Sequence, residues 1–180
     1  MTELPKKYAW LANETAPRML IEALKLFGVA ERLPIGDRTY KDNPEVLSWA
    51  KELGLDGVYK RTETPWCGLF AAIIAKRAGK PIPKTPLWAR DWAKWGTSTR
   101  PELGCILVFA RGQVSGHVGL YVGEDADCYH VLGGNQRDSV CITRIPKSRI
   151  LASRCAYRAK PDSVRPVNLA PSGAVSENEA

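Results

Sequence analysis

Apolar residues recur at helical spacing through the first half of the chain and gather into short runs in the second. In residues 17–27 (PRMLIEALKLF), Met19, Leu20, Ala23, Leu24 and Phe27 share one helical face, with Thr15 as the expected cap and Gly28 as the stop. Asn43-Pro44 is expected to open a second helix that presents Val46, Leu47, Ala50 and Leu53 and ends at Gly54. Thr64-Pro65 opens a third, through Trp66, Leu69, Phe70, Ile73 and Ile74 to Gly79. Thr85-Pro86 opens a short fourth, rich in tryptophan (Trp88, Trp92, Trp95). A Thr or Asn followed by Pro marks a helix start for a physical reason. The polar side chain caps free N–H groups, and proline lacks the N–H that would otherwise go unpaired.

Beyond residue 100 the period changes. Residues 105–110 (CILVFA) are continuously apolar, as in a strand covered on both faces. His117–Val122 and Cys128–Leu132 read as a hairpin around the turn-forming segment Glu124-Asp125-Ala126-Asp127. Residues 140–143 and 153–157 supply two further antiparallel strands. Helices followed by a sheet predict an α+β fold. The expected organisation is one domain over residues 1–160. Residues 161–180, rich in proline, small and polar side chains, are expected to form a flexible tail.

Charge and cysteine usage narrow the function classes. The chain has 180 residues and a net charge of +7, which favours polyanionic partners such as the phosphates and carboxylates of a bacterial envelope. The basic residues are scattered and accompanied by no nucleic-acid-binding signature, so no nucleic-acid partner is expected. No apolar run reaches the ~20 residues of a membrane span, so stable membrane insertion is not expected either. The N-terminus lacks the apolar segment of a secretory signal, which predicts synthesis in the cytoplasm. The five cysteines form no C-x-x-C pair and are odd in number, which points to reduced thiols and away from zinc. No metal and no cofactor are expected.

The candidate chemistry is a Cys–His pair. With Thr64 as cap and Pro65 as the first helical residue, Cys67 lies in the first turn, where unpaired N–H groups favour a thiolate. Its own N–H is then available to a developing oxyanion, and Gly68 leaves room for a substrate backbone. His117, flanked by Gly116 and Gly119, shares a strand face with Gly119 and Tyr121, while Val118, Leu120 and Val122 face the core. The hairpin register puts His117 opposite Gly134, within one residue. That places Asn135 beside the imidazole, where its amide oxygen would fix the tautomer. His130, in mid-hairpin, is expected to be structural. Trp66, Gly68, Trp88 and Trp92 are the candidate substrate-binding residues, weighed against tryptophan's commoner role in cores.

The segments ETPWCGLFAAIIAKRAGKPIP, PELGCILVFARG, SGHVGLYVGED and VLGGNQRDSVCITRIPKSRI together resemble the CHAP and NlpC-type peptidoglycan hydrolases, in particular the small single-domain branch of phage endolysins. The resemblance covers roughly residues 8–158. It implies a papain-like arrangement, with N-terminal helices packed on a C-terminal antiparallel sheet and Cys67, His117 and Asn135 as the catalytic set. It further implies cleavage of an amide in the peptide moiety of peptidoglycan by a monomer that acts at the bacterial wall after release. An interbacterial toxin amidase of the same chemistry and a non-catalytic peptidoglycan-binding module are the alternatives. In many CHAP enzymes an acidic residue stands two positions before the asparagine. Here that position is Gly133, which leaves Glu124, Asp127 or Asp138 to substitute.

Overall fold

A computed structural model describes residues 2–157, 159–176 and 179. Three α-helices, α1 (Arg18–Lys25), α2 (Pro44–Leu53) and α3 (Cys67–Arg77), precede most of the sheet. A small hairpin of β1 (Arg32–Gly36) and β2 (Thr39–Asp42) lies between α1 and α2. The main sheet contains β3 (Thr97–Ser98), β4 (Ile106–Arg111), β5 (Ser115–Glu124), β6 (Cys128–Gln136), β7 (Ser139–Pro146) and β8 (Ile150–Cys155). Its order is β3-β8-β4-β5-β6-β7, and every pairing is antiparallel. The chain is thus α+β with helices ahead of an antiparallel sheet.

Helix α2 forms as its sequence dictates: Asn43 accepts the Glu45 N–H at 2.9 Å, Pro44 occupies the first turn, and Gly54 ends it at φ 71°. Helix α1 starts at Arg18 behind Pro17, and Thr15 does not cap it. The fourth expected helix is a short 3-10 segment, Ala89–Lys94. The β1–β2 hairpin was not expected. Its residues are mostly exposed, so no alternation of apolar and polar positions marks it.

Helix α3 sits at the centre, with every residue from Cys67 to Ala75 buried. One sheet face packs on the helices through Ile106, Val108, Val118, Leu120 and Leu132, against Leu69, Phe70, Ile73 and Ile74 among others. The opposite face carries a second cluster of Leu107, Phe109, Tyr121, Val131 and Ile145. Both faces being covered explains the unbroken apolar run of β4.

The segment after Pro161, expected to be a flexible tail, lies against the body of the protein in its described part. Val167 packs on the second cluster, Asn168 bridges Glu124, Val175 bridges Arg144, and the Glu179 carboxylate is buried. A second correction concerns the cysteines. Cys105 and Cys155 are joined as a disulfide across β4 and β8, with Cα atoms 5.1 Å apart; Cys67, Cys128 and Cys141 are free. These two residues are 50 apart in sequence, and only the strand order brings them together. Among the described residues no helix is long and apolar enough to cross a membrane.

Candidate functional site

Helix α3 begins at Cys67 itself, two residues later than expected. Trp66 is the N-cap residue and its carbonyl receives the Phe70 N–H, while Thr64 and Pro65 belong to the preceding turn. Cys67 is therefore the first helical residue, where N–H groups have no intrahelical partner. The segment before it is pinned from several sides. Asp42 accepts both the N–H and the hydroxyl of buried Thr62, and the Tyr59 hydroxyl donates to the Thr64 carbonyl. The Trp66 indole donates to Glu31 at 3.1 Å and its ring packs against Trp49.

These contacts reassign two of the residues expected to meet substrate. Trp66 is fully buried and anchors the helix start. Trp92 is likewise buried, donating to the Pro86 carbonyl. Gly68 does not open space for a substrate either. A Cβ there would stand 2.4 Å from the Pro86 carbonyl oxygen and 2.6 Å from that of Leu87, so the glycine lets that segment cross the first turn of α3. Trp88 differs from all three: it is 61% exposed and lines a cleft of about 390 Å³ together with Cys67, Leu87, Arg111, Ser115 and Gly116. That volume suits a small-molecule or peptide segment. Arg90 braces one wall by donating to the Ser115 and Gly112 carbonyls. A second cleft of similar size, about 420 Å³, lies beside Pro17, Trp95 and the disulfide, with neither a histidine nor a free cysteine among its described lining residues.

The Cys67 sulfur rests against β5, where the N–H of Val118, the residue after His117, points at it. Burial pushes the thiol pKa up, and the N–H groups of Val118 and Gly68, with the Arg111 charge, oppose that shift. The His117 ring is buried as well. Burial pushes its pKa down to about 4, against the pull of Glu179 and of its bond to Gln136, with Arg149 and Arg111 lowering it further. Both groups are thus neutral, and they lie on opposite sides of the sheet: Cys67 belongs to the helix-side cluster, whereas His117 is paired with Phe109 and meets Gly133 on the side of the second cluster.

The side chain hydrogen-bonded to His117 is that of Gln136, where Asn135 was expected. His117 Nε2 lies 2.9 Å from Gln136 Oε1, while the Gln136 amide nitrogen donates to the carbonyls of Val131 and Cys141 at 3.1 and 2.6 Å. Two carbonyl acceptors fix which end of the amide faces the ring. The oxygen must face His117, so Nε2 carries the proton and Nδ1 is the basic nitrogen. The expected hairpin register was within one residue: Leu120 pairs with Leu132 and Tyr121 with Val131. A bulge then intervenes between Gly133 and Gln136, with Asn135 in the left-handed region at φ 57°. The extra residue reverses the alternation of faces and delivers Gln136 to the histidine. Gly133 is needed for this crossing, since a Cβ there would lie 2.9 Å from Gln136 Oε1 and 3.2 Å from His117 Nε2.

Of the carboxylates considered as substitutes, Glu124 binds the Tyr121 hydroxyl and Lys147 instead. The carboxylate whose charge reaches His117 is Glu179, held by Arg149 through contacts of 2.7 and 2.8 Å. Its position in the tail left no signal in the sequence. His130 is structural, as expected: its Nε2–H donates to Asp125 at 2.8 Å and Nδ1 accepts from the Tyr8 hydroxyl at 2.5 Å, all buried. Arg144, also bound to Asp125, holds that carboxyl well below its usual range against the effect of burial. No cluster of three or more metal-ligating side chains occurs among the described residues. Comparison of the chain with protein-family models, with curated proteins and with solved structures returned no match.

Proposed function

We propose that the chain is a cysteine amidohydrolase of papain-like design that cleaves an amide in the peptide moiety of peptidoglycan. The observation that carries this reading is the placement of Cys67. It opens a buried helix and lines a cleft, next to the N–H of Val118, while Gln136 fixes the tautomer of the preceding residue, His117. The resemblance of the four sequence segments to CHAP and NlpC-type hydrolases supplies the substrate class, and the net charge of +7 suits an anionic wall.

In this reading the sulfur attacks the amide carbonyl carbon as His117 Nδ1, which must turn from the far face of β5 to reach it, takes the thiol proton. The tetrahedral oxyanion is met by the N–H of Cys67, unpaired at the helix start. The C–N bond breaks as the imidazolium returns its proton to the leaving amine, which leaves a thioester. Water, deprotonated by the same nitrogen, then releases the carboxylic acid and restores the thiol. Because both groups are neutral at rest, proton transfer accompanies attack. A preformed thiolate–imidazolium pair is not the starting state. The proposed enzyme needs no cofactor and acts at the bacterial wall.

The test is release of soluble muropeptides from purified sacculi, identified by mass spectrometry. Wild type is expected to release fragments with one new amine and one new carboxylate end, and Cys67→Ala none, while circular dichroism shows both folded. Equal release by folded Cys67→Ala protein would refute the thiol mechanism. Fragments cut only in the glycan would refute the amide assignment.

A further inference from the structure

Arg111 ends β4 and lines the cleft that buried Cys67 also lines. Among the described residues that line this cleft it is the one charged side chain. Two other arginines are engaged. Arg149 is neutralised by Glu179, and Arg90 is tied to two backbone carbonyls. Among the described residues Arg111 has no ion-pair or hydrogen-bond partner for its guanidinium. It shares that cleft with Cys67, whose thiol its charge favours in the ionised form.

A half-buried guanidinium offers a planar fork of N–H donors that matches a carboxylate edge to edge. A single unpaired cation balances one negative charge, which fits a carboxylate better than a dianionic phosphate. Exposed Trp88 on the same cleft gives the ligand an apolar surface to lie on. We propose that Arg111 forms a carboxylate-binding subsite beside Cys67, so that the preferred substrate is an amide whose neighbouring residue carries a free carboxylate. This inference rests on the hydrolase reading for the identity of the reaction, and on the cleft alone for the ligand.

Two synthetic stem peptides test it, identical except that the residue next to the scissile amide bears a free α-carboxylate in one and a carboxamide in the other. The ratio of their kcat/KM values is measured for wild type, Arg111→Gln and Arg111→Lys. A hydrogen-bonded charge contributes enough for wild type to prefer the carboxylate peptide by roughly 10- to 100-fold. Arg111→Gln should bring the ratio near one, and Arg111→Lys, which keeps the charge and loses the fork, should fall between. An unchanged ratio in Arg111→Gln, or no preference in wild type, overturns the proposal. Binding of both peptides to Cys67→Ala protein, by calorimetry, separates the two readings. If wild type cuts neither peptide but Cys67→Ala binds the carboxylate form through Arg111, the subsite stands and the hydrolase reading fails. Binding of neither peptide refutes the subsite.

Discussion

In a Gln136→Met variant the side chain keeps its length but loses both ends of the amide. Three hydrogen bonds disappear: from His117 Nε2–H at 2.9 Å, and to the carbonyls of Val131 and Cys141 at 3.1 and 2.6 Å. The side chain is fully buried, so water does not replace them. At about 1 kcal/mol each, the loss is about 3 kcal/mol of stability. For a chain of this size that corresponds to a fall of roughly 6–12 °C in Tm, readable by circular dichroism. The kinetic effect is separate. The thioether does not accept the Nε2 proton as the amide oxygen does, so the tautomer that leaves Nδ1 basic is no longer fixed. A positioned general base contributes ~10²–10⁴-fold, which sets the ceiling on the expected loss in kcat, with little change in KM. Asn135→Ala is the matched control. No hydrogen bond joins Asn135 to the imidazole, and alanine at φ 57° costs only about 1–2 kcal/mol of backbone strain. A folded Gln136→Met protein with wild-type kcat, or a larger kinetic loss in Asn135→Ala, would refute the tautomer argument.

Acid should weaken the fold through His117. Its native pKa is held down near 4, so between the ordinary value of 6.5 and about 4 the unfolded chain takes a proton that the native state refuses. Stability is complete above that window and falls as pH drops through it, by on the order of 3 kcal/mol. Urea unfolding at pH 7 and pH 4.5 should show the loss in wild type and less of it in His117→Asn; an equal loss in both would assign it elsewhere. His130→Ala removes two buried hydrogen bonds and leaves Asp125 to Arg144 and two backbone N–H groups, so it should lower Tm while the folded protein keeps its catalytic rate; a dead but fully stable variant would contradict this. Thiol titration of the denatured, unreduced protein should find three free thiols, and five only after reduction; five at the outset would exclude the Cys105–Cys155 bond. Chelation should leave hydrolysis of stripped sacculi unchanged, and a loss restored by calcium or zinc would reveal a metal role.

Local chemistry written in consecutive residues was legible without a structure. Asn43-Pro44 and Gly54 define α2 because capping depends only on neighbours in the chain. The alternation of His117, Gly119 and Tyr121 with Val118, Leu120 and Val122 separates two sheet faces because a strand has a period of two. Cys67 at a helix start and His117 on a strand were readable for the same reason. What tertiary structure decided are the places where distant segments meet or a period breaks. The bulge at Asn135 shifts the face by one residue and hands the imidazole to Gln136, a change no alternation pattern announces. Trp66 and Trp92 look alike to Trp88 in sequence, yet packing against Trp49 and the Pro86 carbonyl buries the first two and leaves the third at the cleft. Cys105 meets Cys155, and Glu179 meets Arg149, only because β8 lies beside β4 and the tail folds back over the sheet. Periodicity and capping are short-range and survive in the sequence; register, strand order and burial are products of long-range packing, and they selected which of the candidate side chains reach the site.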